Sequence, residues 1–389
     1  MWISDCRVVL LDRMLPNAAV RIEDGMIAEI SEKPVANADM SAQGLILMPG
    51  FIDMHGDMVE REVEPRPNVR MPLELGLRDL DRRLAVSGVT TAYAALSFSP
   101  ASTYGHLRSY EHTSSVIRAI KTMRDQLLVD HKVHARFEIT FPKALAVIEE
   151  LSAEGSVDLI SLNDHTPGQG QYRNVERHVE RLARDKGTSL EEAAQSIARR
   201  IEERTQPADV MTHTLDAISK ACHAHGVVIA SHDDDTVAKV QLMHSLGVLI
   251  SEFPVTLEAA AEAKRLGLMN AMGAPNALRG QSYSGNLSAR DAHAAGLLDI
   301  LAADYHPSAI LPAVLELSKT DKHGLSGACR LATSNPAQAL GLSDRGEIAV
   351  GKKADLLVAD DNGIGHVRCV FRGGRKIYSD GSLTLARAA

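Results

Sequence analysis

The sequence predicts an α/β protein: a (β/α)8 TIM barrel flanked by a small β-sandwich domain that both chain termini build together. Three observations carry this reading. Short β-rich stretches occupy both ends, the long middle alternates apolar runs with helical patterns, and residues capable of chemistry gather where the apolar runs stop.

The terminal domain is assigned to residues 1–48 and 340–389. Val8-Val9-Leu10-Leu11 is one apolar run. Ala19 to Glu23 and Met26 to Ile30 flank Asp24-Gly25, a dipeptide suited to a tight hairpin. At the far end, Ala354 to Val358, Val367 to Phe371 and Arg375 to Tyr378 repeat the pattern, the last two separated by Gly373-Gly374.

Residues 49–339 are assigned to the barrel. Its eight expected strands are Gly50 to His55, Gly88 to Ala94, Ala135 to Thr140, Val157 to Leu162, Val227 to Ser231, Val248 to Phe253, Leu268 to Met272 and Leu298 to Ala303. A doubly wound open sheet is the alternative, but no Gly-rich phosphate fingerprint follows the first strand. The stretch from about 166 to 207 is too long for an ordinary βα loop. It passes through a Gly-rich turn into a highly charged helical pattern, and is expected to be a lid-like insertion.

Composition bounds the function. With 389 residues, 45% apolar and 24% charged, the chain can bury a large core. A net charge of −8 argues against general nucleic-acid binding, though local arginines and metal ions still permit an anionic substrate. Cys6, Cys222, Cys329 and Cys369 form no CxxC pair, so neither a disulfide framework nor a zinc knuckle is expected. The first residues carry Asp5, Arg7 and Asp12 with no signal-like apolar stretch, and no run of 18 apolar residues follows. A cytoplasmic protein without a membrane partner is expected.

Strand C-termini are where barrel enzymes keep their active sites. Here the first strand ends in His55-Gly56-Asp57, the third at Glu138, the fourth at Asp164-His165, the fifth at His232-Asp233 and the eighth at Asp304. Each taken alone has an ordinary structural explanation; recurrence at five strand ends is what sets them apart. Imidazole and carboxylate donors suit one or two divalent metals, zinc first, with manganese, iron or nickel as alternatives. Asp304 is the candidate general base. His131 and His134 are assigned to the strand's N-terminal face, and His223 and His225 flank a strand start, where stability rather than catalysis is expected.

These residues resemble a known group. Met48-Pro49-Gly50-Phe51-Ile52-Asp53-Met54-His55 is similar to the entry motif of the amidohydrolase superfamily. Thr333-Ser334-Asn335-Pro336-Ala337 and Gly351-Lys352-Lys353-Ala354-Asp355-Leu356 are similar to its exit. More narrowly, His55-Gly56-Asp57, Glu64-Pro65-Arg66-Pro67, Asp164-His165-Thr166-Pro167-Gly168-Gln169, Ala230 to Asp234, Gly273-Ala274-Pro275-Asn276 and Ser284-Gly285-Asn286 resemble the PhnM family of phosphonate-metabolism diphosphatases. The resemblance covers essentially the whole chain. It implies hydrolysis of α-D-ribose 1-methylphosphonate 5-triphosphate to the 5-phosphate and pyrophosphate in the carbon–phosphorus lyase pathway. It also places His55, Asp57, Glu138, His165, His232 and Asp304 on the metal positions. One departure is visible: Tyr283 stands where the family carries a histidine, and a phenol does not replace an imidazole as ligand.

A sugar triphosphate is a strongly anionic partner, and guanidinium groups grip phosphate oxygens in pairs. Arg66 and Arg279 are the preferred phosphate contacts, ahead of Arg70 and Arg173, with Ser284 and Asn286 as further substrate contacts. A homo-oligomer is expected. The rival reading is another hydrolase of the superfamily acting on a cyclic amide or N-acyl amino acid.

Overall fold

The computed structural model describes residues 1–100, 105–282 and 284–383. Its central feature is an eight-stranded parallel sheet in strictly sequential order: β6 (Phe51–Gly56), β7 (Val89–Phe98), β8 (Asp130–Glu138), β9 (Leu159–Asn163), β10 (Val228–His232), β11 (Ile250–Glu252), β12 (Met269–Gly273) and β13 (Ile300–Ala302). The ring closes where Gly56 pairs with Asp304 and the Asp304 N–H donates to the His55 carbonyl at 2.8 Å. This is the predicted TIM barrel, each strand overlapping its expected stretch.

The remaining strands form a second sheet from both termini: β1 (Trp2–Val9), β2 (Met14–Glu23), β3 (Met26–Ser31), β4 (Met40–Ser41), β5 (Ile46–Pro49), β14 (Leu356–Asp360), β15 (His366–Arg372) and β16 (Arg375–Ser379). They follow one hydrogen-bonded path, β16-β15-β14-β5-β1-β2-β3, with β4 beside β1. Strand β5 joins the two ends of the chain, pairing with β1 on one side and β14 on the other. Ile3, Val8, Leu47, Val358 and Phe371 belong to the core of this unit. Arg345 fastens it to the barrel by donating to Thr91 Oγ1 and Asp130 Oδ2 at 2.9 and 2.8 Å.

The alternation of a β-strand sorts residues between two cores. Val133, Ala135 and Phe137 of β8 belong to the core shared with the surrounding helices. The barrel interior contains Ile52, Met54, Tyr93, Leu159, Ala230, Ile250, Ala271 and Ile300, sealed by Ala337 and Leu340. Toward the strand C-termini this apolar filling gives way to charged and imidazole side chains.

The third barrel strand corrects the sequence boundary. It runs over Asp130–Glu138, starting earlier than Ala135. Its polar first residues gain partners that no local pattern reveals: Asp130 meets Arg345, and His131 Nε2 lies 3.0 Å from Asp81 Oδ1. Asp81, on the helix Leu73–Val86, also accepts the Leu128 and Val129 N–H groups at 2.8 and 2.9 Å. Burial would raise this carboxyl, but His131 and the two amides outweigh it and hold it below the ordinary range. Asp81→Ala should therefore cost about 3 kcal/mol, since it strands buried donors. The contribution is complete above the unfolded value of about 3.9 and is lost as pH falls through the lower folded value. Urea midpoints of wild type and variant at pH 7 and 3 check this: the gap should narrow in acid.

Between β9 and β10 the chain carries additional helices. A short 3-10 turn, Gly170–Tyr172, leads to helices Val175–Lys186 and Leu190–Arg204. Asn174 caps the first, and a reciprocal Ser189–Glu192 capping box starts the second. The Gly170 N–H donates to Asp235 Oδ2 at 2.8 Å, which ties the insertion to the barrel rim.

Candidate active site and metal centre

Residues 134, 136 and 138 of β8 share one face, so His134, Arg136 and Glu138 all point away from the outer core and into the barrel mouth. His232 ends β10 and Glu252 ends β11. Strand β6 is irregular between Asp53 and Gly56. Asp53 Oδ1 accepts the N–H groups of His55 and Ala303 there, at 3.1 and 2.8 Å. The irregularity lets His55 reach the site although Met54, its neighbour, belongs to the interior core.

Glu252 organises the centre. Fully buried, it meets His55 Nδ1 through Oε1 and His232 Nδ1 through Oε2, each at 3.2 Å. A carboxylate only accepts, so it sets both imidazoles with the proton on Nδ1 and the lone pair on Nε2. The two rings stack with centroids 5.6 Å apart, and Phe253 stands edge-on to both. Burial pushes His55 and His134 down to about 3 and His232 well below its ordinary value, with Arg136 adding repulsion. The three rings are thus neutral, as ligands must be.

The carboxyls face opposite pressures. Burial, with Asp57 adding to it, pushes Asp304 up to about 7, and burial pushes Glu252 to about 7 as well. For Glu138, burial is outweighed by His165 and Arg204, which hold it below its ordinary value. Its oxygens accept the His165 N–H at 2.8 Å and lie 2.7 Å from His165 Nδ1. Arg136 stands between the two sides, 3.6 Å from Asp57 Oδ2 and 3.3 Å from His232 Nε2.

Three residues at the rim, Asp233, Phe253 and Asp304, adopt left-handed backbone conformations with φ of 54°, 52° and 57°. Each directly follows the end of a strand or lies within two residues of it. Such conformations cost about 1–3 kcal/mol and are kept where surrounding structure aims a side chain.

His55, Asp57, His232 and Asp304 line one cavity of about 670 Å³, together with Arg279, Ser284 and Asn286. Glu138 and His165 line a neighbouring cavity of about 260 Å³ that shares Asp57 and Arg136 with the first. Arg66 is placed differently. It is exposed in the turn that pairs with Val69, and lines neither cavity. Arg61, on the helix Val59–Val63, lines the larger cavity. Tyr283 lies outside the described residues.

Sequence reasoning missed Glu252, His134, Arg136, Arg61 and Arg204. Glu252 carried the same signal as Glu138, a carboxylate at a strand end. His134 was hidden by the misplaced start of β8, whereas Arg136 lay inside the expected strand and alternation from Glu138 backward selects it. Arg204 comes from the distant insertion, and no local pattern predicts its 3.4 Å approach to Glu138.

The donor set fits a divalent cation. Ligand atoms of His165, His232 and Asp233 lie within 4.8 Å of one another, and Asp233 Oδ2 is buried without a hydrogen-bond partner. His55, His134 and Glu252 form a second such group. Both oxygens of Glu252 are already engaged by imidazoles, so this group supports the donors from beneath.

A (β/α)8 barrel with neutral imidazoles and carboxylates converging on its C-terminal rim, beside a sheet made of both termini, defines the amidohydrolase class of hydrolases. The chain belongs to the amidohydrolase family, whose model matches residues 46–377. It is 34% identical over 391 residues to the α-D-ribose 1-methylphosphonate 5-triphosphate diphosphatase of Escherichia coli strain K12, covering 97% of this chain and 100% of that protein. Among solved structures it is similar to 5-methylcytosine deaminase from Klebsiella pneumoniae, with TM-score 0.67, 16% identity and full coverage of both chains. N-acetyl-D-glucosamine-6-phosphate deacetylase from Mycobacterium smegmatis gives TM-score 0.65 and 16% identity over 97% of this chain and 99% of that one. At such identities these two show the fold alone. No helix among the described residues is long and apolar enough to cross a membrane.

Proposed function

We propose that this protein hydrolyses α-D-ribose 1-methylphosphonate 5-triphosphate to the 5-phosphate, releasing pyrophosphate, as a step of phosphonate catabolism. The observation that carries the reading is one cavity lined both by imidazole and carboxylate donors, His55, Asp57, His232 and Asp304, and by the guanidinium groups of Arg61, Arg136 and Arg279. The full-length likeness to the E. coli diphosphatase supports it. A volume of about 670 Å³ is ample for a sugar bearing a phosphate chain.

His55, Asp57, Glu138, His165, His232 and Asp304 would hold one or two divalent metals, zinc being the first expectation. A bound metal would supply Lewis-acid chemistry, neutralising phosphoryl oxygens and lowering the pKa of water. The chain's own residues do the rest. Glu252 holds two imidazoles in one tautomer. Arg279 and Arg61 bind and orient phosphate oxygens. Asp304, which lines the cavity where the last barrel strand meets the first, is placed to take the proton of the attacking water at a carboxylate oxygen. Ser284 and Asn286 offer hydrogen bonds to the substrate from the loop beyond β12.

The test is direct. The purified protein with added Zn²⁺ or Mn²⁺ is assayed against the ribosyl triphosphate, nucleoside triphosphates, a hydantoin and an N-acyl amino acid. Pyrophosphate release from the first supports the proposal; turnover of the amides alone replaces it with the rival hydrolase reading. Arg279→Ala should raise KM for the triphosphate about tenfold, the loss of one charge-assisted contact, with kcat changed less. An unchanged KM removes Arg279 from the site.

A further inference from the structure

We infer that the cavity under the lid helix Val175–Lys186 is a subsite for the distal phosphates of a polyphosphate chain. This rests on the reading of the substrate as a triphosphate and says where its far end lies. The cavity has a volume of about 280 Å³ and is lined by Arg173, Arg177, Arg181 and Arg184, facing a single carboxylate, Asp185. Gln171, Ser284 and Asn286 line both this cavity and the larger one that holds Asp57 and Asp304, so the two adjoin.

Spacing places three of these arginines together. Residues 177, 181 and 184 lie four and three apart on one helix, hence on one face. Like charges so arranged repel and disfavour the helix unless an anion offsets them. No carboxylate among the described residues comes within 4.0 Å of the guanidinium groups of Arg173, Arg177 or Arg184. Acidic neighbours offset many surface arginines of this chain, such as Arg118 between Glu150 and Glu154. Arg173, Arg177 and Arg184 have no such acidic neighbour among the described residues, and the cavity beside them has room for an anion.

The loop opposite is shaped to receive Arg177. Gly285 has φ +72°, and a Cβ added there would collide with Nη1 and Nη2 of Arg177 and lie 2.9 Å from its Cζ. The guanidinium therefore rests directly on the backbone between Ser284 and Asn286, at the junction of the two cavities. Arg181 is held in place by the Tyr172 ring, 5.3 Å from its centroid, and by His178 Nδ1 at 3.3 Å. A phosphate chain leaving the metal-lined cavity past Ser284 and Asn286 would meet Arg177 first and the other guanidinium groups beyond it.

Isothermal titration of the metal-loaded protein with inorganic tripolyphosphate and with orthophosphate tests this. Arg177→Ala and Arg184→Ala should each weaken tripolyphosphate binding about tenfold, one charge-assisted contact apiece, while orthophosphate affinity changes less than about twofold. Gly285→Ala, which keeps every arginine but displaces Arg177, should weaken tripolyphosphate in the same direction. Equal tripolyphosphate affinity in wild type and the Arg177→Ala/Arg184→Ala double variant overturns the inference. The proposed reaction fails separately. If the ribosyl triphosphate is not turned over yet tripolyphosphate binding still falls in the variants, the subsite stands without that substrate. If it is turned over with an unchanged KM in the double variant, the subsite is wrong and the reaction stands.

Discussion

His232→Ala is expected to abolish turnover while the protein stays folded. The imidazole is buried at the end of β10, held by Glu252 through Nδ1, and its Nε2 faces the cavity beside Asp233, 3.7 Å from Oδ2. Removing an outer partner of a metal ligand typically costs about 10–100-fold in metal affinity or activity, so removing a donor itself should exceed about 100-fold. Folding should suffer less. One oxygen of Glu252 loses its donor, at about 1–3 kcal/mol, within a chain whose main cores lie elsewhere. Activity with added metal, metal content by elemental analysis and a thermal melt together check the result. Normal activity in this variant would count decisively against the metal assignment.

Glu252→Gln is expected to lower metal affinity about 10–100-fold with only a modest change in stability. The substitution is nearly isosteric, and a neutral amide in this fully buried position carries no charge for burial to penalise. The cost is one of proton placement. The carboxylate accepts from two Nδ1–H groups, whereas an amide offers one acceptor oxygen and an NH2 that only donates. One of His55 and His232 must then accept at Nδ1, carry its proton on Nε2, and lose the lone pair that faces the cavity. Metal titration of both proteins, followed by activity at saturating metal, separates this from a packing effect: excess metal should restore part of the activity. Identical metal affinity in the two proteins would show that Glu252 does not set the tautomers.

The function of a residue in this chain depends on whether its signal is local. Alternating apolar runs, strand-end imidazoles and carboxylates, and the Asp-Gly and Gly-Gly turns are properties of neighbouring residues. From them the eight barrel strands, the terminal strands and the positions of His55, Asp57, Glu138, His165, His232 and Asp304 at strand ends were legible in the sequence. Boundaries were less so. Strand β8 begins at Asp130 because Asp81 and Arg345, far away in sequence, satisfy its polar residues, and misplacing that start concealed His134.

Other features exist only once the ring closes. Asp304 meets His55 because the last barrel strand pairs with the first across the full length of the barrel sequence. Glu252 acquires its role only when β6 and β10 bring two imidazoles to its two oxygens. Arg66 was the expected phosphate contact beyond the first strand, yet a turn leaves it exposed while a short helix places Arg61, which was not singled out, at the cavity. The kinds of side chain and their periodic placement can be read from neighbouring residues, because periodicity is local. Which donors share a proton, a cavity or a charge was decided by tertiary structure, because those relations depend on distances between residues that the chain order keeps far apart.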